Sequence, residues 1–363
     1  MKTRLAVAGL VLVAAGDSHQ TSPVRTVRIA ATPVCSGCRV EIGDPAIVVE
    51  GTVDHPIADL PNGLFRSPAG GFVVTQGGSG DLPLAFSSTG ALVGQIGRVG
   101  SGPGEFQAAL KVAFGPGDSV AVFDTRLRRI AIFDRNYKFA RSFRAPGDPS
   151  AMLWLPNGEF VLGGAMSTSR GVGQPLHMLS RGGDALRSLG GGSAPGAYGG
   201  MDDFRLLTGS GTTGFYSMTA FGKVEVEHWD AGIPKRRWAI ESPYLPDKTF
   251  ESERRPFQAR VSSFLVDGTT LYLMFVVPRK GWRSGVRVRV ENGEELVTIV
   301  DADKVVATSI DVIDLARGVV ISRTELPGSY TGFLAGGLVF RRVTGGENGT
   351  RLEVSRFRLR GGG

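Results

Sequence analysis

Cysteine and histidine are scarce in this chain, and long apolar runs are absent. There are two cysteines and four histidines in 363 residues. Two cysteines cannot build a four-cysteine zinc site. They stand as Cys35-Ser36-Gly37-Cys38 with Arg39 following, so the histidine required for c-type haem attachment is missing. The histidines His19, His55, His177 and His228 are scattered, which argues against a histidine metal centre. The apolar stretch Leu5–Ala15 is shorter than the ~20 residues that cross a bilayer, so no membrane span is expected. No long amphipathic helix pattern occurs, and Gly-x-Ser-x-Gly does not appear in a strand-turn-helix setting, which leaves a serine nucleophile unsupported. A dense basic run is also lacking. The formal charge is +7, but arginine is spread through the chain. Such charge speaks to solubility and non-specific attraction, and nucleic acid is not expected as a partner.

Glycine is abundant, at 53 residues, about twice its usual ~7% share. Its placement is regular. The stretch Ile96–Phe143 holds a glycine-rich loop, an apolar run, a Gly-Pro-Gly-Asp turn and three further apolar runs, which makes one four-stranded antiparallel unit. Weaker copies flank it. A glycine turn leads into a β-rich run at Gly70, Gly117, Gly158, Gly211, Gly268 and Gly336. A near-constant early spacing of this kind marks a repeat architecture. Several runs, such as Val120–Phe123, are apolar at odd and even positions alike, the pattern of strands covered on both faces.

The last unit is one strand short, and Ala46–Glu50 is a strand with no unit of its own. Joining the two closes a ring and protects its edges. The expected fold is therefore all-β: a six-bladed β-propeller of four-stranded antiparallel blades, its sixth blade closed by the N-terminal strand near residues 46–50. Residues 46–361 form the single domain in this reading. Residues 1–16, with Lys2 and Arg4 ahead of a short apolar run and Ala14-Ala15-Gly16, read as a signal peptide. Asp17 stands where a bacterial lipoprotein would carry its lipid-bearing cysteine, which points to a soluble secreted or periplasmic product. Residues 17–45 read as a flexible lead-in. Within it, Cys35 and Cys38 read as a small-loop disulfide, with a redox-active pair as the alternative.

Gly100-Ser101-Gly102-Pro103-Gly104-Glu105-Phe106 and the strands of Val120–Phe133 resemble the NHL-repeat style of blade. The Cys-x-x-Cys after a signal, followed by a closing strand, is similar to secreted bacterial six-bladed propellers of unassigned function. The resemblance implies the fold. It implies no activity, because propellers include lyases, lactone hydrolases and pure binding proteins.

In such blades, second-to-third loops and blade-to-blade connections share one face. The long candidates are Gly97–Gln107, Gly164–Pro175, Gly190–Phe204, Glu241–Gln258 and Pro278–Lys304. Long loops on a rigid scaffold are where function concentrates. Arg98, Arg126, Arg205, Arg254 and Arg255, with Tyr244 and Trp282, are the candidate binding residues; arginine beside aromatics suits a protein, peptide or glycan partner. A non-catalytic binding propeller is the first reading, and a metal-dependent hydrolase or lyase with a central-channel site is the alternative. The inner strands offer Asp59 and Asp203 and little other acidic material, against the six to eight oxygens that calcium takes. No catalytic residue, metal ligand or cofactor is assigned. Val286–Val290 and Leu296–Val300, joined through Asn292-Gly293, read as a hairpin inserted in the fifth blade, either a plain extension or a flap over the channel.

Overall fold

The computed structural model describes residues 24–168, 171–190, 204–245, 259–291, 294–346 and 349–361. Six four-stranded antiparallel blades follow one another along the chain. Their inner strands are Gly63–Arg66, Ala109–Phe114, Ala151–Trp154, Arg205–Ser210, Arg260–Asp267 and Gly332–Leu334. The expected signal peptide, residues 1–16, lies outside the described residues.

The core is divided as a ring of blades requires. Its buried side chains fall into six clusters, one between each pair of neighbouring blades. The cluster between the sixth and first blades joins Leu338, Phe340 and Val354 to Phe72, Val74 and Phe86, so the ring is closed by packing. Unbroken apolar runs follow directly: every residue of Phe72–Thr75 and of Val120–Asp124 is buried, because each face meets a neighbour.

The sixth blade is completed by the N-terminal strand Arg39–Glu50, antiparallel to Gly349–Arg360. The expected closing strand is present and begins seven residues earlier than its sequence reading. The preceding segment departs further from a flexible lead-in. Thr26–Ile29 lies parallel to Ile233–Ile240 as a fifth strand on the fourth blade. The Val34 and Cys35 amides then donate to the Val320 and Ile321 carbonyls on the outer strand of the fifth blade. The chain thus crosses the outer edges of the fourth, fifth and sixth blades in turn. Ile29 is buried between the first two of these and Val40 between the last two. Apolar residues at alternate positions explain the pairing; the flanking Thr, Ser and Pro residues had suggested a loop. The Cys35 and Cys38 sulfurs, 1.94 Å apart, close a small loop where this strap turns.

Two expected loops are not loops. The second and third strands of the third blade, Phe160–Thr168 and Gly171–Leu179, extend through most of Gly164–Pro175. The connection after the first blade folds back against the second. Phe106 is buried against Phe133, and Arg129 donates to the carbonyls of Ser101, Gly102 and Glu105. Gly97 (φ 77°) sits where a Cβ would lie 2.6 Å from the Gly104 carbonyl and the Phe106 ring, which only glycine tolerates.

Candidate functional site

A cleft of about 810 Å³ opens on the loop-rich face between the fifth, sixth and first blades. The inner strand of the fifth blade brings Arg260 and Ser262 to it. The segment entering the sixth blade brings Tyr330 and Thr331, and the middle of that blade's second strand brings Arg341 and Arg342. Ile299 and Val300, at the root of the inserted hairpin, form an apolar wall.

Most charges in the cleft are already matched. Arg341 donates twice to Glu353 Oε2, at 2.9 and 2.7 Å, while Arg351 donates to Oε1. Burial opposes ionisation at Glu353, but the hydrogen bonds from Arg341 and Arg351 outweigh it and hold the carboxyl below its usual range. The same contact raises the pKa of Arg341, and it fixes the guanidinium as part of the wall. Arg342 Nη1 donates to the Asp59 carbonyl at 2.6 Å, a bond across the ring junction. The carboxylates are engaged too. Asp303 accepts from the Ser329 amide, and Asp301 accepts from the Lys304 amide and ammonium.

Arg260 and Tyr330 are different. The Arg260 guanidinium has no carboxylate partner among the described residues; the residue is exposed at the cleft, and partial desolvation by the wall lowers its pKa. The Tyr330 hydroxyl has no hydrogen-bond partner among them either. Burial raises its pKa, with Arg341 pulling the other way, so it stays a neutral donor. An unmatched cation and a free hydroxyl lining the same cleft suit an anionic group with an oxygen acceptor. A second, more open hollow of about 690 Å³ lies beside Ala58–Asn62. Its Gln76 is spent on the Ala58 amide and the Pro56 carbonyl.

The sequence-expected residues are dispersed. Arg98 is exposed at the first junction, 3.7 Å from Glu105. Arg126 is exposed in the second-to-third turn of the second blade. Arg205 starts the inner strand of the fourth blade, its amide bonded to Ser150 Oγ. Tyr244 is a packing residue: it donates to Ser309 Oγ at 2.9 Å, lies against Phe275 and carries Arg323 over its ring. Trp282 carries Arg283 over its ring beside the inserted hairpin. Arg254 and Arg255 lie outside the described residues, as does Asp203. None of the five described ones lines the cleft. The long loops were the expected place, so the sequence reading missed Arg260 at the start of an inner strand, Tyr330 just before one, and Arg341 and Arg342 within a second strand. The signal available was register, which sets the facing of these positions once the blades are placed.

Among the described residues, no three His, Cys, Asp or Glu side chains stand close enough together to hold a metal. No helix among them is long and apolar enough to cross a membrane.

Solved structures share the architecture. An inferred exported protein of Bacteroides fragilis NCTC 9343 matches with a TM-score of 0.62 and 11% identity, over 93% of this chain and 100% of its own. The chain is a six-bladed β-propeller. Virginiamycin B lyase from Staphylococcus aureus is more distant, with a TM-score of 0.42 and 11% identity over 88% of this chain and 99% of the lyase. Likeness at such identity shows fold and says nothing of chemistry. No protein-family model and no curated protein sequence matches the chain.

Proposed function

We propose that this propeller is a secreted or periplasmic binding protein that holds a protein, peptide or glycan on its loop-rich face without transforming it. The observation that supports this best is that Arg260, without a carboxylate partner among the described residues, lines one cleft with the Tyr330 hydroxyl, where Arg341, Arg342, Asp301 and Asp303 are already engaged. A site so arranged attracts an anionic group. The apolar wall of Ile299 and Val300 adds contact area beside the charge. The basic start and short apolar run of residues 1–16 support export, as does likeness to an inferred exported propeller.

Peptide and glycan arrays probed with wild-type protein and with an R260E/Y330F variant test this. The expected result is a set of anionic ligands held by wild type and lost by the variant at unchanged melting temperature. Ligands held equally by both would move the site off the cleft. Turnover of a bound ligand would overturn the non-catalytic reading.

A further inference from the structure

The inserted hairpin of the fifth blade is the least satisfied element in the described chain. Val286–Glu291 and Glu294–Ile299 pair with each other and with no other described strand. Among the described residues, both outer edges therefore carry unpaired backbone N–H and C=O groups. An isolated two-stranded sheet is marginal in water, and a third strand is the usual remedy. An open, regular edge is also what natural sheets avoid unless it serves a partner.

The two faces of the hairpin differ. Val286, Val288 and Val290 share one face with Val297 and Ile299 by cross-strand register. On that face Val288 is 39% exposed, Val290 68% and Ile299 47%. Ile299 also lines the cleft, so the apolar face is continuous with the recess. Arg287 and Arg289 lie on the opposite face, both exposed. Neither forms an ion pair with any described residue. Glu291, at the tip, shares the arginine face by register, so the basic part of that face is its root half.

From this geometry we infer that the hairpin takes an extended peptide of the partner as an added β-strand, with acidic residues alternating with apolar ones. Backbone bonds to a free edge supply affinity without regard to sequence. Strand alternation then sorts the side chains: acidic residues fall on the Arg287–Arg289 face and apolar ones on the Val288–Ile299 face, toward the cleft. A glycan has no backbone donors for the edge, so the hairpin favours peptide. The inference deepens the binding reading above and rests on it.

A fluorescein-labelled peptide of alternating Glu and Val is the probe, with fluorescence anisotropy as the readout. Comparison ligands are a Lys-Val peptide, a Glu-Pro peptide that lacks alternate N–H groups, and an oligogalacturonate. The full chain is compared with R287Q/R289Q and with a variant whose Val286–Ile299 segment is replaced by a short Gly-Ser link, each checked for unchanged melting. The Glu-Val peptide should bind wild type and weaken about tenfold in R287Q/R289Q, as loss of two exposed charge contacts implies. Its binding should vanish without the hairpin, and the Lys-Val and Glu-Pro peptides should bind less tightly than the Glu-Val peptide. Equal binding by wild type and the hairpin-less variant would overturn the inference, as would failure of the peptide to bind at all. Capture of oligogalacturonate but not peptide would overturn it in favour of a glycan. A wild-type dimer that the link variant cannot form would assign the edge to a second copy. In each case the array result for the Arg260–Tyr330 cleft is read separately, so the general binding reading stands or falls on its own.

Discussion

His177 shows how one residue can report on the packing of a whole layer. It is 1% exposed on the third strand of the third blade, opposite Leu162. Nδ1 lies 2.8 Å from Ser188 Oγ, and Nε2 is buried without a hydrogen-bond partner among the described residues. Burial holds the imidazole pKa below its ordinary value, against the pull of nearby Gln174 and Gly164 carbonyls. The unfolded chain therefore binds this proton more readily than the folded one. Stability from this group is complete above the ordinary imidazole pKa and is lost as pH falls, by at most about 1.4 kcal/mol per pH unit for one proton. Denaturant melts between about pH 7 and pH 5 should show wild type losing stability and His177→Gln losing distinctly less. Parallel slopes would mean that the ring takes up its proton equally in the folded and unfolded chain. The sequence allowed His177 to be placed on a third strand, away from the channel. It could not reveal the missing partner at Nε2, which depends on how the third blade's long hairpin folds over the ring.

At the scale of elements, the strap over residues 26–50 carries more of the fold than its composition suggests. Ile29 is fully buried in the layer between the fourth and fifth blades, packed with Met218, Trp238 and Val320. Val34, a few residues on, is 59% exposed. Ile29→Ala should cost about 2–4 kcal/mol, the range for emptying a buried aliphatic site. Val34→Ala should stay within about 0.5 kcal/mol. Urea midpoints for the two variants make the comparison, and equal values would show the strap to be loosely held. The six blades were readable because each repeats a glycine turn and a run covered on both faces. Thr26–Ile29 repeats nothing and is only four residues long. Its parallel pairing to a distant outer strand is a tertiary choice with no local signature. The candidate site was hidden for a similar reason. Arg260 and Tyr330 gain meaning from neighbours 70 residues apart in the chain, whereas Tyr244, conspicuous in its loop, is used up by Ser309 and Phe275.

The molecule as a whole is a ring whose last bond is made by its first strand. A propeller has no end caps: if one blade is left open, the layers on either side lose a wall. Here the junction is made three ways. Arg39–Glu50 pairs with Gly349–Arg360 along nearly its whole length. Val49 and Ile57 enter the layer between the sixth and first blades. Glu41 accepts from Arg360 at 2.9 Å and lies 3.4 Å from Arg358. Deleting residues 1–38 removes the strap but leaves this junction intact. Deleting residues 1–50 leaves the sixth blade three-stranded, with the long edge of Gly349–Arg360 open to other chains. The shorter deletion should remain monomeric with a lowered melting temperature. The longer one should self-associate or fail to melt cooperatively, by light scattering and calorimetry. A synthetic peptide of residues 39–50 added in trans should restore monomer and cooperativity, because the free edge and the buried position of Val49 both await it. If the longer deletion stayed monomeric and melted like the shorter one, packing between the first and sixth blades alone would suffice to hold the ring.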